Sequence, residues 1–225
     1  MNVLIIGAHG KIGKIVTEKM QSSTQFNPTA FIRNKEQQGF FEGLGVPVKI
    51  ASLESDPDEI AKTMKGMDAL VFTAGSGGKT GYDKTLEIDL DGAVRSMIAA
   101  EKAGVKRFVM VSAYLAGDRS RWDGSRIKPY YIAKHFADRE LQRTSLDYTI
   151  LRPVALTDEE GTGKVTIKTK PEEMQPTIPR EDVASTILEV LEHPETTGKI
   201  MVLSTGETPI KTAMERILTD YDARL

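Results

Sequence analysis

The chain has 225 residues, 40% of them hydrophobic and 28% charged, with 30 Lys and Arg set against 32 Asp and Glu. That size and balance suit one domain with a substantial core, and the near-cancelling charge argues against sequence-blind binding to nucleic acid, which calls for a basic face. The absence of cysteine excludes disulfides, thiolate metal sites and a cysteine nucleophile.

The opening "MNVLIIGAHGK" has no basic segment ahead of a long apolar run, so no signal peptide is expected. No apolar stretch is long enough to cross a bilayer. The expectation is a cytoplasmic protein, monomer or homodimer, acting on a small molecule, with neither membrane nor nucleic acid as partner.

In chain order, "NVLII" is strand-like and "KIGKIVTEKMQ" has helical spacing. "PTAFIR" precedes "NKEQQGFFEGL", and "VPVKI" precedes "DPDEIAKTMKG". "DALVFTA" leads through a loop into "KTLEIDLDGAVRSMIAAEKAG", followed by "VKRFVMVSA". "KPYYIAKHFADRELQ" reads as a helix, "DYTILRP" as a strand, "REDVASTILEVLEH" as a helix and "KIMVLST" as a late strand before a terminal helix. Short apolar runs alternating with longer amphipathic ones predict repeated βαβ units. The fold class is α/β: a doubly wound, Rossmann-type parallel sheet with helices on both faces, three layers in a single domain over 1–225. The stretch of about 153–180 differs, with prolines and turn residues around one alternating strand, "KVTIKT". It is expected to form a lid on the substrate side, since ligands in such sheets lie outside the carboxyl ends of the strands.

Gly7, Gly10 and Gly13 lie between the first strand and the first helix. That context points to a dinucleotide: one glycine for the tight turn, one for backbone approach to a pyrophosphate, one for helix–strand packing. The helix start, with Lys11 and Ile12, then faces the phosphates with unpaired N–H groups. His9 reads as a filler facing solvent or phosphate; a glycine-rich turn without a ligand is the plain alternative. Arg33 lies twenty residues beyond Gly13, where a carboxylate would mark a free ribose 2′-hydroxyl. Arginine grips a phosphate with two parallel hydrogen bonds, so NADP is favoured over NAD.

"VFTAGSGGKTGYDK" imitates a nucleoside-triphosphate loop, but the position of that motif's first glycine holds Thr73. Ala74, Gly75 and Ser76 fit better as a strand end lying flat beneath a dinucleotide.

Ser112 ends the strand "VMVSA", and Tyr130 and Lys134 stand one helical turn apart. A cation near a phenol lowers its pKa, so the phenol can exchange a proton with a substrate oxygen held by the serine while hydride moves on a nicotinamide. Tyr131 is a second candidate for the phenol, and a solvated helix face is the bland reading.

"GAHGKIG", "FIRN", "DALVFTAGSGG", "VKRFVMVSA", "YYIAK", "LDYTILRP" and "REDVA" together resemble the short-chain dehydrogenase/reductases, in particular their atypical, NmrA-like subgroup. The resemblance spans nearly the whole chain. It implies a Rossmann fold, NADP, a Ser112–Tyr130–Lys134 site, and Pro153 and Val154 beside the nicotinamide. Asp89 stands where the wider family has an active-site Asn, and a carboxylate cannot donate as an amide does. Ser52 and Leu53 stand where related chains have a carboxylate for the adenine amino group and a leucine against the ring. Two functions follow: an NADP-dependent oxidoreductase, or an epimerase-like relative, acting on a small carbonyl or alcohol, or a non-catalytic NADP-binding redox sensor.

Overall fold

Along β1 (Asn2–Ile6) successive side chains fall on opposite faces, Val3 and Ile5 into one core cluster and Leu4 and Ile6 into another. A strand buried on both faces reads as an unbroken apolar run, which is why "NVLII" does not alternate. The computed structural model of the chain describes residues 1–78, 80–172 and 174–222.

From β1 the chain passes through a glycine turn into α1 (Lys11–Gln21), β2 (Asn27–Ile32), α2 (Gln38–Gly43), β3 (Val48–Ile50), α3 (Pro57–Thr63) and β4 (Ala69–Phe72). A loop leads to α4 (Tyr82–Lys84), a π-helical stretch over Thr85–Gly92, α5 (Ala93–Ala103) and β5 (Arg107–Val111). Then come α6 (Lys128–Leu141), β6 (Asp147–Pro153), β7 (Ala155–Thr157), β8 (Lys164–Lys168) and β9 (Thr177–Pro179). α7 (Arg180–Glu192), β10 (Lys199–Thr205), β11 (Thr208–Pro209) and α8 (Ile210–Asp222) finish the order.

The main sheet runs β11-β8-β10-β6-β5-β4-β1-β2-β3. The strands from β10 to β3 are parallel, and β8 and β11 add an antiparallel edge. Ile12, Val16 and Met20 of α1, with Val183 and Ile187 of α7 and Met214 of α8, cover one face. Ile60 of α3, Met97 of α5 and Leu141 of α6 cover the other. The three-layer, doubly wound fold is the one its alternating pattern predicts.

Two segments differ from their sequence reading. The helix expected to start near Lys84 is wound wider over its first eight residues, and this π-helical winding turns Thr85 and Asp89 inward, Asp89 to 1% exposure. The stretch 153–180 is not one excursion. β7 pairs with β9 in a separate two-stranded sheet, while β8 joins the main sheet against β10. Val165 and Ile167 alternate inward, so β8 is held between β10 and β11 by burying them.

Among the described residues no helix is long and apolar enough to cross a membrane.

Candidate active site

Strand order reverses between β1 and β4, because successive crossovers run to β2 on one side and to β5 on the other. The loops leaving these two strands therefore part and leave a crevice at their carboxyl ends. Thr73 stitches the exits together, its N–H donating to the Ile6 carbonyl at 2.8 Å.

The three glycines of the first loop have separate duties. Gly7 has φ +82°, and a Cβ there would lie 2.5 Å from the Ala74 nitrogen, so the turn packs directly on the β4 exit. A Cβ on Gly13 would lie 2.3 Å from the Gly7 carbonyl oxygen, so helix and strand could not approach as they do. Gly10 instead faces the crevice, where a Cβ would meet only the Gly7 carbonyl oxygen at 3.1 Å. α1 starts at Lys11 with no side-chain cap and no acidic residue in its first turn. Its first N–H groups lack helical partners and the dipole favours an anion there, so this cradle fits a dinucleotide pyrophosphate.

The crevice has a volume of about 630 Å³. It brings together Gly10, Lys11 and Ile12 from the first loop, Ala74, Gly75 and Ser76 from the second, and Asp89, Ser112, Tyr130 and Lys134. Gly78 and Thr80 also line it, and the helix does not begin until Tyr82; Lys79 of the Gly-Lys-Thr run lies outside the described residues.

Ser112, Lys134 and Asp89 are all buried. Lys134 Nζ is 3.2 Å from Asp89 Oδ1 and 5.7 Å from the centre of the Tyr130 ring. The other Asp89 oxygen accepts the Ser76 N–H at 2.9 Å, which ties the second loop to the π-helical stretch. Burial pushes the Tyr130 phenol above its ordinary pKa, and although Lys134 pulls it down, the net direction is up. This corrects the sequence expectation of a lowered phenol: burial disfavours phenolate, and Asp89 works against it as well. Burial also acts to lower the Lys134 ammonium, but the Tyr130 phenol and the Asp89 and Asp138 carboxylates hold it above its ordinary range. The Ser112 hydroxyl is 3% exposed and lies beside the buried Asp138 carboxyl, but it makes no well-formed hydrogen bond among the described residues. Such a group is costly to bury unless a ligand satisfies it.

Pro153 and Val154 line an adjoining pocket, also about 630 Å³, which shares Ser112, Ile127, Tyr130, Leu156 and Arg180 with the crevice. Tyr131 lines this second pocket and not the crevice, its ring centre 5.8 Å from that of Tyr130.

Arg33, His9, Ser52 and Leu53 stand outside the crevice lining. Arg33 is exposed at the end of β2, and its backbone N–H donates to Gln37 Oε1 at 3.1 Å. His9 is exposed and meets the same Gln37 through Nδ1, 3.4 Å from its Nε2. Its pKa is lowered by partial burial and then by Lys14. The Ser52 hydroxyl oxygen accepts the Glu54 N–H at 3.1 Å. Leu53 is turned into the core against Gly92, which leaves little of it to offer an adenine ring. The Lys11 ammonium pairs with Asp158.

Sequence reasoning missed Asp138, Arg152 and Arg180. Asp138 is fully buried, and one of its oxygens takes both Nε and an Nη of Arg152 at 2.8 Å. Burial pushes its carboxyl up, against the downward pull of Arg152. A signal was present: Asp138 follows Lys134 by four residues, as Lys134 follows Tyr130, so one helix face carries all three.

A family model of NAD(P)H-binding domains matches residues 7–194. A Bacillus subtilis protein named as an uncharacterized sugar epimerase, YhfK, is 44% identical over 217 residues, covering 96% of this chain and all of the relative. A Bacillus halodurans structure carrying the provisional name NAD-dependent epimerase/dehydratase superimposes with a TM-score of 0.89 at 40% identity, over 96% of this chain and 99% of that one. The Lactococcus lactis oxidoreductase ylbE has a TM-score of 0.86 at 38% identity, over 97% of each chain. With its glycine cradle, Rossmann sheet and Ser–Tyr–Lys crevice, this chain belongs to the NAD(P)H-binding, atypical short-chain dehydrogenase/reductase family of NmrA-like proteins.

Proposed function

We propose that the chain is an NADP-dependent oxidoreductase that interconverts a small carbonyl compound and its alcohol. The observation that carries this reading is the convergence of Ser112, Tyr130 and Lys134 on the crevice that also holds the Gly10 cradle. Bound there, the dinucleotide supplies or accepts the hydride. In the reducing direction the Tyr130 phenol passes its proton to the substrate oxygen as that oxygen gains charge. The Ser112 hydroxyl, which makes no well-formed hydrogen bond among the described residues, donates one to the same oxygen. Lys134 steadies the phenolate that remains, and Asp89 holds Lys134 and the second glycine loop in register. A phenol kept protonated by burial suits the donor role, since a proton donor must begin with its proton. Arg33, with no ion-pair partner among the described residues, is assigned to the 2′-phosphate. β7 and β9, flanking the pocket lined by Pro153 and Val154, are assigned to the substrate side.

The test is mass-spectrometric identification of any dinucleotide retained on purification, followed by a panel of aldehydes and ketones with NADPH and with NADH. Binding of NADPH without turnover of any carbonyl or alcohol would favour the second reading, a cofactor-sensing regulatory protein. The pairing of Lys134 with Asp89 supports that alternative, because it spends on a carboxylate part of the charge that would activate Tyr130.

A further inference from the structure

The second pocket has a distinctive chemistry. Its wall includes Leu156, Val154, Met174 and Ile127, so it fits an apolar or aromatic body. The charged side chains in its described lining are two arginines, Arg121 and Arg180, with no Asp or Glu among them.

Arg121 is exposed and is held by an aromatic ring, with the Asp118 carboxylate close enough to act on its charge without forming an ion pair. Its guanidinium lies over the Tyr114 ring, 5.4 Å from the centre, and one Nη is 3.2 Å from the Tyr114 hydroxyl oxygen. The Tyr114 hydroxyl itself donates to the Pro171 carbonyl at 2.8 Å, which fixes the ring. Arg121 forms no ion pair with any described residue. Arg180 opens α7 where the pocket meets the crevice, and shares one carboxylate, Asp158, with Lys11. Further acids near Asp158, namely Glu159, Glu160 and Glu181, line an outer groove and not this pocket. Two planar cations at the wall of an apolar pocket, one unpaired and one half-paired, match the oxygens of a carboxylate or phosphate.

We infer that the substrate is an organic anion, its apolar body in the second pocket, its charged group on Arg121 and Arg180, and its reacting oxygen at Ser112 and Tyr130. This rests on the oxidoreductase reading for the reacting end only; the anion subsite stands on the pocket lining.

The experiment is calorimetry on the full chain with NADPH present, using compounds that carry no reducible carbonyl. Benzoate, 3-phenylpropionate and 4-phenylbutyrate are each compared with the matching primary amide, and phenyl phosphate tests the phosphate form of the group. At least one acid or the phosphate should bind tenfold or more tightly than the neutral compound of its shape, as expected for a charge-assisted hydrogen bond. Arg121→Gln should remove most of that preference while NADPH affinity is unchanged, and Arg180→Gln should also remove it. Whichever of acid and phosphate binds better identifies the anionic group. Equal binding of acid and amide, no binding by any member, or a preference that survives Arg121→Gln would overturn the inference. If the anion preference appears but no carbonyl is ever turned over, the subsite stands and the oxidoreductase reading falls.

Discussion

Lys134 Nζ lies 3.2 Å from Asp89 Oδ1, and both side chains are buried at the floor of the crevice. A buried ammonium and carboxylate depend on each other, because removing one leaves the other charged and desolvated. Asp89→Asn should therefore cost about 3 kcal/mol or more in urea unfolding. It should also move the Tyr130 phenol downward in pH, since Asp89 is one of the groups raising it. An acid catalyst is lost as pH rises through its pKa, so the alkaline limb of turnover should shift to lower pH in the variant. An unchanged limb would mean that Tyr130 is not the titrating acid.

The two neighbouring tyrosines separate by function. Tyr130→Phe should lower turnover by roughly 10²–10⁴-fold, the usual worth of general acid catalysis, with NADPH affinity nearly unchanged. Tyr131→Phe should keep the chemical step and alter only KM, because Tyr131 lines the second pocket and not the crevice. Steady-state kinetics on the pair decides it; a dead Tyr131→Phe would reverse the assignment.

Cofactor choice is expected to reside in Arg33. NADPH should bind more tightly than NADH, and Arg33→Ala should erase about 1.5–3 kcal/mol of that difference, the worth of hydrogen bonds to a charged group. Titration of dinucleotide fluorescence measures both. Equal affinities in the unmodified protein would exclude the role.

Two glycines of one loop should fail in different ways. Gly13→Ala drives a methyl to 2.3 Å from the Gly7 carbonyl oxygen, so the melting temperature should fall by the equivalent of about 1–3 kcal/mol or more. Gly10→Val projects toward the crevice, so the protein should stay folded by circular dichroism yet lose dinucleotide binding. Retained binding in Gly10→Val would place the dinucleotide elsewhere.

Asp138 and Arg152 join α6 to β6 on the helix face that also carries Tyr130 and Lys134. Asp138→Ala leaves Arg152 unpaired where its side chain is only 14% exposed, and should cost about 3–5 kcal/mol in urea unfolding. Replacing both partners, as Asp138→Leu with Arg152→Met, should recover much of that loss, since no lone charge remains.

The sequence by itself determined those features that depend on neighbours along the chain. "NVLII" followed by Gly7, Gly10 and Gly13 specifies a buried strand, a turn and a helix start, because the turn's backbone angle and the close strand–helix approach are demands local to that loop. Tyr130 and Lys134 were legible for the same reason: a helix puts residues four apart on one face wherever it packs. Only the tertiary structure decided what those groups meet. The pairing of Lys134 with Asp89 joins residues 45 positions apart, and it depends on a π-helical winding that leaves no periodic mark in "TLEIDLDG". The upward shift of the Tyr130 phenol is set by burial, which is a property of the packed domain. Arg121 and Arg180 share a pocket because β6, β7 and β9 bring distant segments to one sheet end, and no spacing along the chain encodes that meeting.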